Sequence, residues 1–126
     1  MKIYAFDVDD TLEVSCGPVK LESLMKLREE GHIVGLCGNI MPVMNVNGWW
    51  HLISFFNYAQ VKNVFLWEMK SRFVPYCEEY IMVGNIGPLD AKTYNLAQTG
   101  GSDDMSQALA ASWRFIKESD FAQGAR

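Results

Sequence analysis

The chain opens on a short apolar run, Ile3-Tyr4-Ala5-Phe6, that stops abruptly at Asp7, Asp9 and Asp10. A run without alternation suits a strand covered on both faces, as in the middle of a parallel sheet. From Val19 to Glu30 the pattern changes. Leu21, Leu24, Met25 and Leu27 recur at helical spacing among charges, Pro18 fits the first turn, and Gly31 stands where a helix is capped. His32 to Cys37 is again a continuous apolar run, stopped by Gly38-Asn39. Strand, helix, strand in this length is a βαβ unit, which requires a right-handed crossover. Further on, Gly48 to Phe56 reads as a helix with Asn47 near its N-cap. Val61 to Trp67 reads as a third strand, interrupted by Asn63. Lys70 to Cys77 reads as a short helix limited by Pro75. Glu79 to Gly84 is a fourth strand and Asp90 to Ala97 a helix. A last helix runs from Asp103 to Ser119, capped by Ser102. A fifth strand near Gln98 to Gly101 is only weakly written. The order predicts an α/β fold, a three-layer α/β/α sandwich around a parallel, Rossmann-like sheet.

Composition narrows this picture without redirecting it. The 126 residues fit a single domain spanning 1–126. The formal net charge of −4 gives no basic footprint for nucleic acid. Trp49, Trp50, Phe55 and Phe56 have no interleaved basic residues, so they read as core and cover rather than a base-stacking platform. Cys16, Cys37 and Cys77 are an odd count without a C-x-x-C pair, which points to a reducing cytoplasm rather than to disulfides or a zinc knuckle. No apolar run is long enough to span a membrane, and Asp7 interrupts the N-terminal one.

Candidate chemistry gathers at strand ends. In an open parallel sheet these ends share one edge, where ligands bind. The first strand brings Asp7, Asp9 and Asp10; the second brings Cys37, Gly38 and Asn39; the fourth brings Gly84-Asn85 and, across a loop, Asp90. Crowded carboxylates repel, and a cation or a proton relieves them. Lys62 and Lys70 are the nearby lysines. Asp103 and Asp104 read as first-turn acids facing a helix dipole.

Asp7-Val8-Asp9-Asp10-Thr11, preceded by a hydrophobic strand, resembles the D-x-D-x-T motif of the haloacid dehalogenase-like superfamily, whose members are mostly phosphohydrolases. The resemblance runs from Met1 to about Gly101. It implies a magnesium-dependent phosphatase with Asp7 as nucleophile, forming an aspartyl phosphate, and Asp9 as general acid and base. Two apart on an extended chain, Asp7 and Asp9 project to one side, roughly 6–7 Å apart, leaving room for a phosphoryl group. Mg²⁺ would be held by Asp7, the Asp9 carbonyl, Asn85 and Asp90, offsetting the phosphate charge. The third-motif lysine would be Lys70, favoured over Lys62 by its short spacing to the fourth strand. Cys37, Gly38 and Asn39 would face the phosphate oxygens.

Two positions depart from the family pattern. Asn85 stands where a carboxylate is usual, and Cys37 where a hydroxyl is usual. Both weaken binding without deleting the nucleophile or the acid. They leave two alternatives open: a non-catalytic domain that keeps the fold and binds a partner, and a metal-independent dehalogenase-type hydrolase. Leu12 to Ile33 holds a flap and one helix, and Asn39 to Val61 about one helix, so neither can fold as a cap domain. An open site implies either a macromolecular phosphorylated substrate or an oligomer that covers it.

Overall fold

The computed structural model describes residues 1–57, 62–86 and 104–126. Five strands form one all-parallel sheet: β1 (Lys2–Phe6), β2 (Ile33–Cys37), β3 (Phe55–Asn57), β4 (Glu79–Gly84) and β5 (Arg114–Lys117), in the order β3-β2-β1-β4-β5. The chain steps outward from β1 to β3, then crosses to the other side of β1 for β4 and β5. The gap beside β1 where the direction reverses is the place such sheets reserve for ligands.

The first strand is central because its sequence is apolar on both faces. Ile3 pairs with Ile33 on one side and Tyr80 on the other, and Phe6 with Leu36 and Val83. Tyr4, Phe6 and Val8 point to one layer, with Leu24 and Leu27 of α1 (Leu21–Glu29), Val43 of α2 (Met41–Met44) and Phe121 of α5 (Glu118–Ala122). Ile3 and Ala5 point to the other, with Phe65, Leu66 and Met69 of α3 (Lys62–Phe73) and Ala108 of α4 (Asp104–Ala110). Two cores on opposite faces of one sheet make the α/β sandwich that the element order predicts. Among the described residues no helix is long and apolar enough to cross a membrane.

Several elements differ from the sequence expectation. Of the expected strand Val61–Trp67, the described part, from Lys62 onward, is the first half of α3. Its buried residues, Lys62, Phe65, Leu66 and Met69, fall at i, i+3, i+4 and i+7, the spacing of one helix face. Val64 and Trp67 lie exposed between them, so the apolar run is two-faced. The third strand is instead Phe55–Asn57, overlapping the end of the stretch Gly48 to Phe56 expected to be helical, where only Trp50–Leu52 makes a helical turn. The long terminal helix divides. It stops at Ala110, Ser112 turns through a left-handed backbone (φ 64°), and Arg114–Lys117 becomes β5. Lys70–Cys77 is helical only to Phe73 as the end of α3. Helix α1 begins at Leu21, after Val19 has bridged to Leu12; Glu13 accepts the Leu21 amide at 3.0 Å. The expected helix Asp90 to Ala97 and the candidate strand Gln98 to Gly101 lie outside the described residues.

Candidate active site

Asp7 follows β1 directly and stays in the sheet's hydrogen-bond frame: its amide donates to the Val83 carbonyl at 2.9 Å. The chain then turns sharply. The amides of Thr11 and Leu12 both return to the Val8 carbonyl. Asp10 takes the left-handed conformation (φ 60°), which Asp tolerates better than most residues, and its side chain points to solvent. This turn carries Thr11 back under Asp7. Thr11 is fully buried, and its hydroxyl donates to Asp7 Oδ2 at 3.1 Å.

Asp7 is only 6% exposed, so its charge needs partners. Lys62, the first residue of α3, donates to Asp7 Oδ1 at 2.7 Å. The Asn85 side-chain amide donates to Oδ2 at 2.8 Å. The same Asn85 nitrogen donates to the Asp9 carbonyl at 3.1 Å, tying the end of β4 to the acidic turn. Asp9 itself is exposed, and its Oδ1 accepts the Ser15 hydroxyl at 2.7 Å.

A second carboxylate completes the buried part. Asp104, the first residue of α4, is wholly buried and accepts Lys62 Nζ at 2.7 Å through Oδ1. Its Oδ2 accepts the Asn85 amide at 3.0 Å, and its own amide donates to the Asn85 carbonyl. Lys62 therefore bridges two carboxylates. Burial alone would lower its proton affinity, but the charges of Asp7 and Asp104 outweigh burial and hold the ammonium above the ordinary lysine value. For Asp104, burial and the neighbouring Asp7 charge prevail over Lys62, and the carboxyl is pushed up to about 7.

Glycines permit this crowding. A Cβ on Gly84 would lie 2.3 Å from Asp104 Oδ2, so only glycine lets β4 pass this carboxylate. Gly38 has φ 146°, and a Cβ there would lie 2.8 Å from Asp7 Oδ1.

The structure brings together Asp7, Asp9 and Asn85, as the sequence suggested, but supplies a different lysine. Lys70 donates to the Ser112 carbonyl at 2.7 Å and sits over the Tyr80 ring. Ser112 precedes β5, so Lys70 lies toward the amino edge of the sheet, opposite Asp7. The strand-to-helix correction explains this. With Val61–Trp67 as a strand, Lys62 would begin it at the wrong edge; as the first residue of a helix it begins at the right one. Cys37 is 1% exposed, inside the α3/α4 core layer, with its Sγ 3.4 Å from Met82 Sδ. Burial pushes its thiol up despite the nearby Lys62 charge. The Gly38 amide is spent on the Asn57 carbonyl at 2.9 Å. Asn39 Oδ1 accepts the Met41 amide at 3.2 Å, at the start of α2. Of these three positions, Gly38 abuts Asp7 directly. Asp90 lies outside the described residues. Asp104 was legible only as a helix-start acid; its signal is its place some 19 residues after Asn85, at the start of the next crossover helix.

Among the described residues no group of three or more His, Cys, Asp or Glu side chains is placed to hold a metal ion. The set that fits a hard cation is of another kind: an Asp7 carboxylate oxygen, the Asp9 carbonyl and, with the amide reversed, the Asn85 oxygen. Asn85 Nδ2 already touches the first two. Three oxygens with one carboxylate at a partly open edge suit Mg²⁺, which keeps several waters and takes few protein ligands. Chemically, the centre is a carboxylate fixed by three donors beside an exposed second acid. No protein-family model, no curated protein and no solved structure matches the chain.

Proposed function

We propose that the chain is a magnesium-dependent phosphohydrolase of the haloacid dehalogenase type, acting through an aspartyl phosphate on Asp7. The observation that supports this best is the environment of Asp7: a buried carboxylate at the sheet's switch point, oriented by Lys62, Thr11 and Asn85, with the exposed Asp9 two residues on.

In this reading an Asp7 oxygen attacks phosphorus and the ester P–O bond breaks. The leaving oxygen takes the Asp9 carboxyl proton. Asp9, now ionised, takes a proton from water, the water oxygen attacks phosphorus, and the acyl–phosphate P–O bond breaks to release inorganic phosphate and restore Asp7. Lys62 holds Asp7 in place and balances charge as phosphate arrives. Asp104 holds Lys62 and the backbone of Asn85. Asp7, the Asp9 carbonyl and Asn85 would hold Mg²⁺, which supplies charge neutralisation of the phosphoryl group when bound. Lys70, Cys37 and Asn39 have no part in it.

Between Leu12 and β2 lie a one-turn flap (Glu13–Ser15) and α1; between Asn39 and β3 lie α2 and one helical turn. The reading therefore includes a capless, open site, with a macromolecular phosphorylated substrate or an oligomer to exclude water. Three free thiols fit a reducing cytoplasm.

Turnover of an aryl phosphate with and without Mg²⁺ tests the proposal, beside Asp7→Asn. Magnesium-dependent turnover, lost in Asp7→Asn, supports it. Absence of turnover together with absence of a beryllofluoride adduct on Asp7 would overturn it and favour a partner-binding domain. Fluoride release from a haloacid without metal would favour the dehalogenase reading.

A further inference from the structure

Asn85 is held by its backbone on both sides: its amide donates to Asp104 Oδ2 at 3.0 Å and its carbonyl accepts the Asp104 amide at 3.1 Å. The residue cannot withdraw from the site. What it can do is rotate its side-chain amide, a broad and nearly two-fold torsion. One edge of that amide is a donor and the other an acceptor. In the structure the donor edge faces in, with Nδ2 at 2.8 Å from Asp7 Oδ2 and 3.1 Å from the Asp9 carbonyl. These are the same two oxygens that would hold a cation.

We propose that the Asn85 amide is a two-position plug in the cation site. Without a divalent cation its nitrogen edge faces in and stands in for the ion, donating to Asp7 and Asp9. When the cation enters, both hydrogen bonds break, the amide turns over and its oxygen becomes a ligand. The inference rests on the reading that this oxygen set takes Mg²⁺. A carboxylate at position 85 cannot act in this way. It has no donor, and without a divalent cation it would add a third carboxylate beside the single ammonium that Asp7 and Asp104 already share. Asparagine thus gives a site that is satisfied in either state. It also weakens cation binding, because the oxygen-in orientation is the minor one beforehand and apparent affinity falls by that fraction.

The test follows the Asn85 side-chain NH₂ resonance in the ¹⁵N-labelled full chain, assigned by its loss in Asn85→Asp. In chelated protein its protons exchange slowly with water. Titration with MgCl₂ moves the resonance and brings exchange to the rate of a free amide. In parallel, calorimetry shows Asn85→Asp binding Mg²⁺ about tenfold tighter or more than the wild type, and its thermal midpoint rises more on adding Mg²⁺. If Mg²⁺ binds the wild type while the Asn85 NH₂ signal and its exchange stay unchanged, the plug is refuted and the cation site stands. If neither protein binds Mg²⁺, the cation reading fails and takes the plug with it. Should Asn85→Asp not fold without metal, Asn85→Ala supplies the assignment and the wild-type titration decides.

Discussion

Lys62 Nζ lies 2.7 Å from Asp7 Oδ1, with both side chains about nine-tenths buried and 55 positions apart in sequence. The same ammonium is 2.7 Å from Asp104, so one cation relieves two buried acids. Removing it leaves two carboxylates facing each other without a counterion. Lys62→Met is expected to cost about 3–5 kcal/mol of stability and to abolish turnover. Lys70→Met removes a hydrogen bond to a carbonyl at the surface and a contact with the Tyr80 ring, and is expected to cost no more than about 1–2 kcal/mol, with turnover retained. Urea denaturation of the two variants measures the difference. A larger loss from Lys70→Met would refute the assignment of Lys62.

The raised Asp104 carboxyl makes stability depend on pH in a stated direction. Its ordinary value is 3.8 and the fold pushes it up to about 7. Between these values the native state binds more protons than the unfolded chain. Its contribution is therefore fully present below about pH 4 and is lost as pH rises toward 7. Lys62 stays protonated in both states across this window and adds no slope there. Its raised affinity instead adds stability that disappears only at alkaline pH. In chelated protein, urea midpoints of the wild type are expected to carry an Asp104 component worth up to roughly 4 kcal/mol across the window. Asp104→Asn should remove that component. An unchanged pH profile in Asp104→Asn would show that Asp104 titrates normally.

The central strand and its acids were legible because one local signal, an apolar run ending in D-x-D-x-T, fixes both the burial of β1 and the position of Asp7. The βαβ unit through Cys37 and the fourth strand at Glu79–Gly84 were legible for the same reason. What failed depended on partners distant in sequence. Val61–Trp67 carries strand-like residues, yet Phe65, Leu66 and Met69 pack as a helix face against the sheet. Arg114–Lys117 has helical neighbours and becomes a strand because β4 offers it an edge to pair with. These two errors of type hid Lys62 and the new fifth strand together. Asp104 was hidden differently. Its residue type at a helix start has an adequate local explanation, and only the fold shows that it is buried against Lys62.

The cysteines give a test of which sequence-read contacts belong to the site. Cys16 is exposed on the flap, whereas Cys37 and Cys77 are buried. Native protein is expected to titrate one thiol quickly with a disulfide reagent. The other two should react only as fast as the chain opens. Cys16→Ser should erase the fast phase. Cys37→Ser, which supplies the hydroxyl usual in the haloacid dehalogenase-like pattern, should not raise turnover in the proposed reaction. It places that hydroxyl in an apolar layer and is expected to cost about 1–3 kcal/mol. A fast-reacting Cys37, or a gain of turnover in Cys37→Ser, would mean that this side chain reaches the ligand edge.

The close passage of β4 beside Asp104 predicts a specific energetic coupling. Gly84→Ala sets a Cβ 2.3 Å from Asp104 Oδ2 and 2.9 Å from Asp104 Cβ. Overpacking of this kind costs about 1–3 kcal/mol, and it pushes Asp104 away from the Asn85 amide and Lys62. Gly35→Ala meets a different obstacle, the Phe55 ring at 2.2 Å, within the α3/α4 core layer. The two substitutions should destabilise comparably when made alone. They should part company in an Asp104→Gly background. There the obstacle to an alanine at 84 is gone, while the one at 35 is untouched. A double-mutant cycle should therefore show coupling of about 0.5–3 kcal/mol between positions 84 and 104, and additivity between 35 and 104. Additivity at both would mean that Asp104 does not occupy the space against Gly84. Its bonds to Lys62 and to Asn85, which depend on that position, would then fall with it.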